Sequence, residues 1–175
     1  MKKHLIALLT SLLLVSGCAS SVTNDIKIEA EADTTAQFSG YKTYTWLGSA
    51  AILYDPNGKW EPPGFDADAE IKFLIDRELR QRGMVEDSIN ADLIVVFAAG
   101  IDMTSMREEI NADGKIGALI NVPLGALTVA LIDAISGTAI WAGLATADVQ
   151  QSPDQEVIKK RLDYAVSSMF KKLPK

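Results

Sequence analysis

Apolar and polar positions along this chain repeat with one of two periods, and the switches between them mark its elements. Residues 26–33, "IKIEAEAD", alternate in period two, which predicts a half-buried strand. "YKTYTWL", 41–47, is rich in aromatic and β-favouring residues and predicts a second strand. The prolines and glycines of "YDPNGKWEPPGF", 54–65, end any regular element and predict a loop. From Asp66 to Arg82 the period becomes helical, with Ile71, Leu74, Ile75 and Leu79 on one face. Acids crowd its first turn, Arg77, Arg80 and Arg82 its last, and Gly83 is the expected stop. "ADLIVVFAAGID", 91–102, has the continuous apolar centre of a strand covered on both faces. Two further strands, about 125–133 and 139–149, join around Gly137 as an antiparallel hairpin. Ser152, Pro153 at a first helical position and Gln155 read as a capping box. Ile158, Leu162, Ala165, Val166, Met169 and Leu173 then form one stripe, which Pro174 ends.

The stretch 103–122 is longer than a typical hairpin loop and carries Met103, Met106, Ile110, Ile116, Leu119 and Ile120. It reads as an extension of the two flanking strands into a long hairpin around Asn111–Gly114, with a mobile apolar flap as the alternative. The order is thus β-β-α-β-β-β-α. It predicts an α+β fold, a largely antiparallel sheet with two helices packed on one face.

The amino terminus lies outside that fold. Lys2 and Lys3 form a positive n-region, and Leu5–Val15 is an apolar run too short to cross a bilayer. Val15, Ser16, Gly17 and Cys18 resemble the lipobox of bacterial lipoproteins, which implies cleavage between Gly17 and Cys18 and acylation of Cys18. Ala19, where an inner-membrane retention signal would place Asp, implies sorting to the outer membrane with the domain in the periplasm. The organisation expected is a signal peptide at 1–17, a lipidated cysteine and tether at 18–25, and one domain at 26–175.

This processing changes the chemistry available. The only histidine, His4, leaves with the signal, and the only cysteine, Cys18, becomes the acyl carrier. Ser-His-Asp and Cys-His catalysis and zinc sites of His/Cys type are thereby excluded from the mature domain. With 23 acidic against 17 basic residues, two of the latter in the signal, its field does not suit nucleic acid or anionic lipid. No intrachain disulfide can form, so a packed core must hold the domain.

"FSGYKTYTWLG", "ADLIVVFAAGID", "GALTVALIDAISGTAIWAGLA" and "YAVSSMFKKLP", in this order, resemble the bacterial lipoproteins grouped as domain-of-unknown-function family 4136. The resemblance runs from about Asp25 to Pro174, departs from the family pattern at Ala142, and does not extend through 103–122. It implies location and fold rather than activity. The element order is also similar to the amino-terminal domain of the periplasmic TolB protein, an analogy of fold only.

Few residues remain as candidates for chemistry. Asp66, Asp68 and Glu70 read as helix-dipole partners rather than a calcium cluster. "DPNGKW", 55–60, fails as a calcium loop because Gly58 comes too early and Lys59 stands where an oxygen is needed. "DGKIG", 113–117, lacks phosphate-loop spacing and reads as a turn. Asp102, Glu108, Glu109 and Asp133 are the acids from which a glycan hydrolase would draw its carboxylate pair, about 5 to 9.5 Å apart. Trp46 and Trp141 sit in strand patterns and read as core, whereas Trp60, beside Pro62-Pro63, reads as an exposed contact. Lys159, Lys160, Arg161, Lys171, Lys172 and Lys175 read as a solvated basic face.

The expectation is an outer-membrane-anchored, non-enzymatic periplasmic module without cofactor or metal, reaching the membrane through its lipid anchor. It binds an envelope protein or other envelope component through a surface including Trp60, Met103, Met106 and Ile110. The alternative is a carrier of a small apolar ligand or lipid, favoured by an apolar cavity of about 300 Å³ or more. A carboxylate-based cell-wall hydrolase comes third. Labelled palmitate supplied to growing cells is expected to enter the native protein and not Cys18→Ala, which also retains residues 1–17; equal labelling of both would remove Cys18 as the anchor.

Overall fold

The computed structural model describes residues 22–111, 113–114, 116–150 and 153–175. Gly17 and Cys18, the expected processing site, and Ser152, the expected cap, lie outside the described residues. In chain order the elements are β1 (Lys27–Ala32), β2 (Thr43–Tyr54), α1 (Ala67–Gln81), β3 (Val85–Glu86), β4 (Leu93–Asp102), β5 (Met106–Ile110), β6 (Ile116–Asn121), β7 (Leu124–Asp133), β8 (Ala139–Asp148) and α2 (Gln155–Phe170). Six strands make one sheet in the order β1-β8-β7-β4-β2-β3, and β5 pairs with β6 alone. β1/β8, β7/β8 and β4/β7 are antiparallel. β2 runs parallel to β4, because α1 lies between them in sequence and a helical crossover returns the chain in the same direction. β2 is also parallel to β3, so the α+β class holds with two parallel pairs as the addition.

β2 is longer than its aromatic core suggests, because the neutral run after Leu47 continues beside β4 as far as Tyr54. Both helices begin on an aspartate. Asp66 accepts from the Ala69 amide at 3.0 Å. Asp154 accepts from the Glu156 amide at 3.3 Å, so α2 starts at Gln155 and Pro153 precedes the cap instead of occupying the first turn.

The segment 103–122 continues the β4–β7 hairpin after a break. Pairing runs from Leu93↔Asp133 to Asp102↔Leu124 and resumes at Met106↔Asn121. Pro123 has no amide to donate at the break, and Asp102 draws the Thr104 amide and hydroxyl into a local turn, both at 2.8 Å. Asn121 bridges the gap by donating to the carbonyls of Met103 and Ser105. The hairpin turns at Gly114, whose φ of +80° suits a residue without Cβ.

The core lies between the sheet and the two helices. Ile71, Leu74, Ile75 and Leu79 of α1 and Ala165, Val166, Met169 and Phe170 of α2 are buried, as their spacing predicts, Phe170 excepted. They meet Tyr44, Leu93, Val95, Val129, Leu131 and Trp141. Trp141 is 1% exposed and lies against Phe170, with ring centroids 5.1 Å apart. Trp46 is half-buried and meets Phe97 edge to face at 6.0 Å. The Tyr44 hydroxyl donates to Asp76 at 2.7 Å. Burial, reinforced by that carboxylate, pushes its pKa up to about 12.

Two arginines tie distant parts of the chain. Arg82, after α1, donates to the carbonyls of Phe170, Leu173 and Pro174 and so caps the carboxyl end of α2. Arg161 of α2, with an 11% exposed side chain, grips Asp25 through both terminal nitrogens at 2.7 and 2.6 Å and also donates to the carbonyls of Val22 and Asp148. It is a nearly buried clamp, not part of a solvated basic face. The Asp25 carboxyl is held below its ordinary 3.8 chiefly by the bond from Arg161, with the Asp148 amide assisting.

A group with a lowered folded pKa stabilises above the ordinary carboxylate range and loses that contribution as pH falls through the folded value. Asp25→Asn is therefore expected to cost about 1–2 kcal/mol in urea unfolding at pH 7. The gap to the native protein should close as pH falls from about 4 toward 2; a constant gap would show that charge on Asp25 contributes nothing. A Cβ on Gly143 would stand 2.7 Å from Trp141 Cη2 and 3.0 Å from Met169 Sδ. Gly143→Ala should cost about 1–3 kcal/mol in the same assay through overpacking.

Candidate functional site

Register sorts the inner face of the sheet into rows that run across the strands, and the bulkiest side chains gather in the first. Trp46, Val95, Leu131 and Trp141 share one row. In the next, Phe97 and Val129 stand beside Ser49 and Gly143. The following row has Ala51, Ala99, Leu127 and Ala145, and the last has Leu53, Ile101, Gly125 and Ala147. On β2 the members of the later rows, Ser49, Ala51 and Leu53, are exposed, whereas those of β4, β7 and β8 are buried or half-buried. Where small residues meet helices that do not collapse onto them, a space remains.

That space is an apolar cleft of about 370 Å³. Its floor is the last two rows, and its roof is Ala67 and Ile71 of α1 with Ile158, Leu162 and Ala165 of α2. Trp60 and Pro63 from the β2–α1 loop and Val149 and Pro153 from the β8–α2 connection form the mouth. Polar side chains enter only at the edge, as Asp148, Gln150 and the Arg161 clamp. Trp60 is half-buried there, positioned by an Asp55 carboxylate that accepts its amide at 2.7 Å. The motif that fails as a calcium loop thus works as a bracket for the tryptophan.

The other expected contact residues do not join the cleft. Met103 is half-buried at the hairpin break, and Met106 and Ile110 lie exposed on β5, 55% and 67% accessible. Nor do the candidate acids converge. Asp102 and Asp133 stand at opposite ends of the β4–β7 pair, nine positions or roughly 30 Å apart, beyond the reach of a hydrolase pair. Each is engaged locally: Asp102 holds Thr104, and Asp133 accepts from the Ser136 amide at 2.7 Å and from Tyr41 at 2.9 Å. These bonds keep both carboxyls below their ordinary range, ionised rather than proton-donating. Glu108 and Glu109 are exposed on β5. Among the described residues no three His, Cys, Asp or Glu side chains are grouped to hold a metal ion, and no helix is long and apolar enough to cross a membrane.

The opposite face of the sheet bears no helix. Across its three inner strands it presents Val96 and Ala98, Thr128 and Ala130, and Ala142 and Leu144, all without charge. Lys27, Glu29 and Glu31 of β1 border it.

No curated protein matches the chain. Among solved structures, a DUF4136 family protein from Bacteroides thetaiotaomicron is 10% identical, with 84% of this chain and 95% of that one covered and a TM-score of 0.55. A PDZ domain protein from Parabacteroides distasonis is 16% identical with a TM-score of 0.52, over 86% of this chain but 37% of that one. A PelC dodecamer from Paraburkholderia phytofirmans is 16% identical, with 85% and 99% covered and a TM-score of 0.47. The first two likenesses concern the fold. A family model matches residues 28–175, nearly all of the described domain, and the chain belongs to that family, domain of unknown function DUF4136.

Proposed function

We propose that this protein is a non-enzymatic envelope lipoprotein, anchored to the outer membrane through Cys18 and facing the periplasm, whose domain carries a small apolar ligand between sheet and helices. The single observation behind this reading is the cleft: about 370 Å³, within the range of small-molecule sites, lined by aliphatic side chains and polar only at its edge. A fully packed core would have spoken against a carrier. Side-chain size supports this reading, since Ala99 and Ala145 in one row and Gly125 and Ala147 in the next leave room beside Leu127 and Ile101.

A second reading, a docking module for an envelope protein, is favoured by the uncharged open face of the sheet, since extended apolar surface on a soluble domain marks interaction sites. The two readings use opposite faces of one sheet and are tested separately.

A domain beginning at Ala19 is expected to bind cis-parinaric acid with one site, read by the fluorescence gain of the probe. Ala99→Phe places a ring in the cleft from a half-buried floor position and should weaken binding at least tenfold, and Ala147→Phe does the same nearer the mouth. Both variants should retain the native circular dichroism spectrum. Native-like binding by both folded variants would remove the cleft as the site.

A further inference from the structure

The cleft and the tether lie at the same end of the domain. Arg161, which lines the cleft edge, donates to the Val22 carbonyl and holds Asp25, and the next residue, Ile26, is itself part of the lining. The chain therefore leaves the domain at the rim of the cleft, fixed by a side chain that is nearly buried. Only four residue steps separate Val22 from Cys18, at most about 15 Å of extended chain. An acyl group on Cys18 thus brings the bilayer surface to the rim and cannot hold it at the far end, where the packed core closes the sheet.

The shape of the cleft states what it takes. The row inward of its floor holds Phe97 and Val129, whereas its edge carries Asp148, Gln150 and Arg161. A space that is aliphatic within and polar at its edge suits an amphiphile with its tail inward. We propose that the ligand is the acyl chain of a membrane phospholipid, entering the cleft from the bilayer at the end of the domain where the tether is pinned. The inference rests on the carrier reading and adds the ligand class, the direction of entry and the role of the Arg161–Asp25 clamp, which orients the mouth toward the membrane. Each methylene transferred into an apolar space keeps about 0.8 kcal/mol of the burial it already had in the bilayer. A lipid chain can therefore exchange between membrane and cleft with little net change, as a carrier requires.

The test uses the acylated protein in phosphatidylethanolamine/phosphatidylglycerol vesicles containing a phospholipid brominated at mid-chain. Trp60 at the mouth is the reporter, isolated by subtracting the signal of Trp60→Phe, since Trp46 and Trp141 lie toward the packed end. The expected result is quenching of about half the Trp60 emission, lost in Ala99→Phe and Ala147→Phe. Asp25→Asn should reduce the quenching at least twofold while leaving parinaric acid binding by the Ala19-started domain intact. Parinaric acid binding without vesicle quenching would overturn the membrane inference and leave the carrier reading standing. Failure of that domain to bind parinaric acid would remove both. If the acylated protein neither quenches nor binds the probe while the domain lacking Cys18 does, the cleft is filled by the protein's own acyl chain, and entry of a membrane lipid is refuted.

Discussion

In β2 the pairing with β4 slips by one residue at Leu47, and the cleft depends on that slip. Before it, even-numbered residues face the helices, Tyr44 against Leu93 and Trp46 against Val95; after it, odd-numbered ones do, Ser49, Ala51 and Leu53. Without the bulge the same stretch would turn Gly48, Ala50, Ile52 and Tyr54 inward. Gly48 sits at the slip with φ of +149°, a conformation that side chains with Cβ rarely adopt. One irregularity in one strand thus sets which β2 residues join each row, although Ile52, Leu53 and Tyr54 are all exposed, at 64%, 54% and 59%.

Much of the frame was legible in the sequence because long elements repeat their pattern. The four apolar positions of α1 are spaced at i, i+3, i+4 and i+8, and no other element type could bury all four. The antiparallel hairpin around Gly137 followed from two apolar runs with a short polar join. β3 left no signal, since two residues beside the start of β2 are too few for periodicity to register. The parallel pairing of β2 with β4 required knowing that α1 packs as a crossover, a tertiary fact. The cleft was invisible for a related reason. Ala and Gly near the ends of β4, β7 and β8 look like weakly patterned strand termini, and only the register places them in adjacent rows. A run of small residues at the same end of several neighbouring strands was the available clue.

The basic residues of α2 and of the tail after it illustrate how a charge count misleads. Six cations in an acidic chain suggest one solvated face, yet their environments differ. Arg161 is nearly buried and holds the tether, Lys159 lies over the Phe65 ring at 5.3 Å, and Lys172 donates to the Ile28 carbonyl at 3.1 Å. These contacts fasten α2 to the amino-terminal segment, to the loop before α1 and to β1. These contacts hold α2, which supplies part of the roof of the cleft, and Arg161 also lines the edge of that cleft.

Stability and ligand space are divided along the same sheet. Trp141, Phe170, Tyr44, Leu79 and their neighbours fill one end, with a Gly143 that leaves room only for the Trp141 ring, and this end supplies the burial that folding requires. The other end forgoes part of that burial. Its small residues give up contacts that larger ones would make, a cost that the ligand of the proposed carrier would recover on entering, raising stability by mass action. A domain packed from one end can keep its fold while the other end fills and empties, which a carrier needs and a uniformly packed core would forbid. In the proposed carrier, a tether at the open end rather than the packed one would give that exchange a direction, from the surface to which the chain is attached.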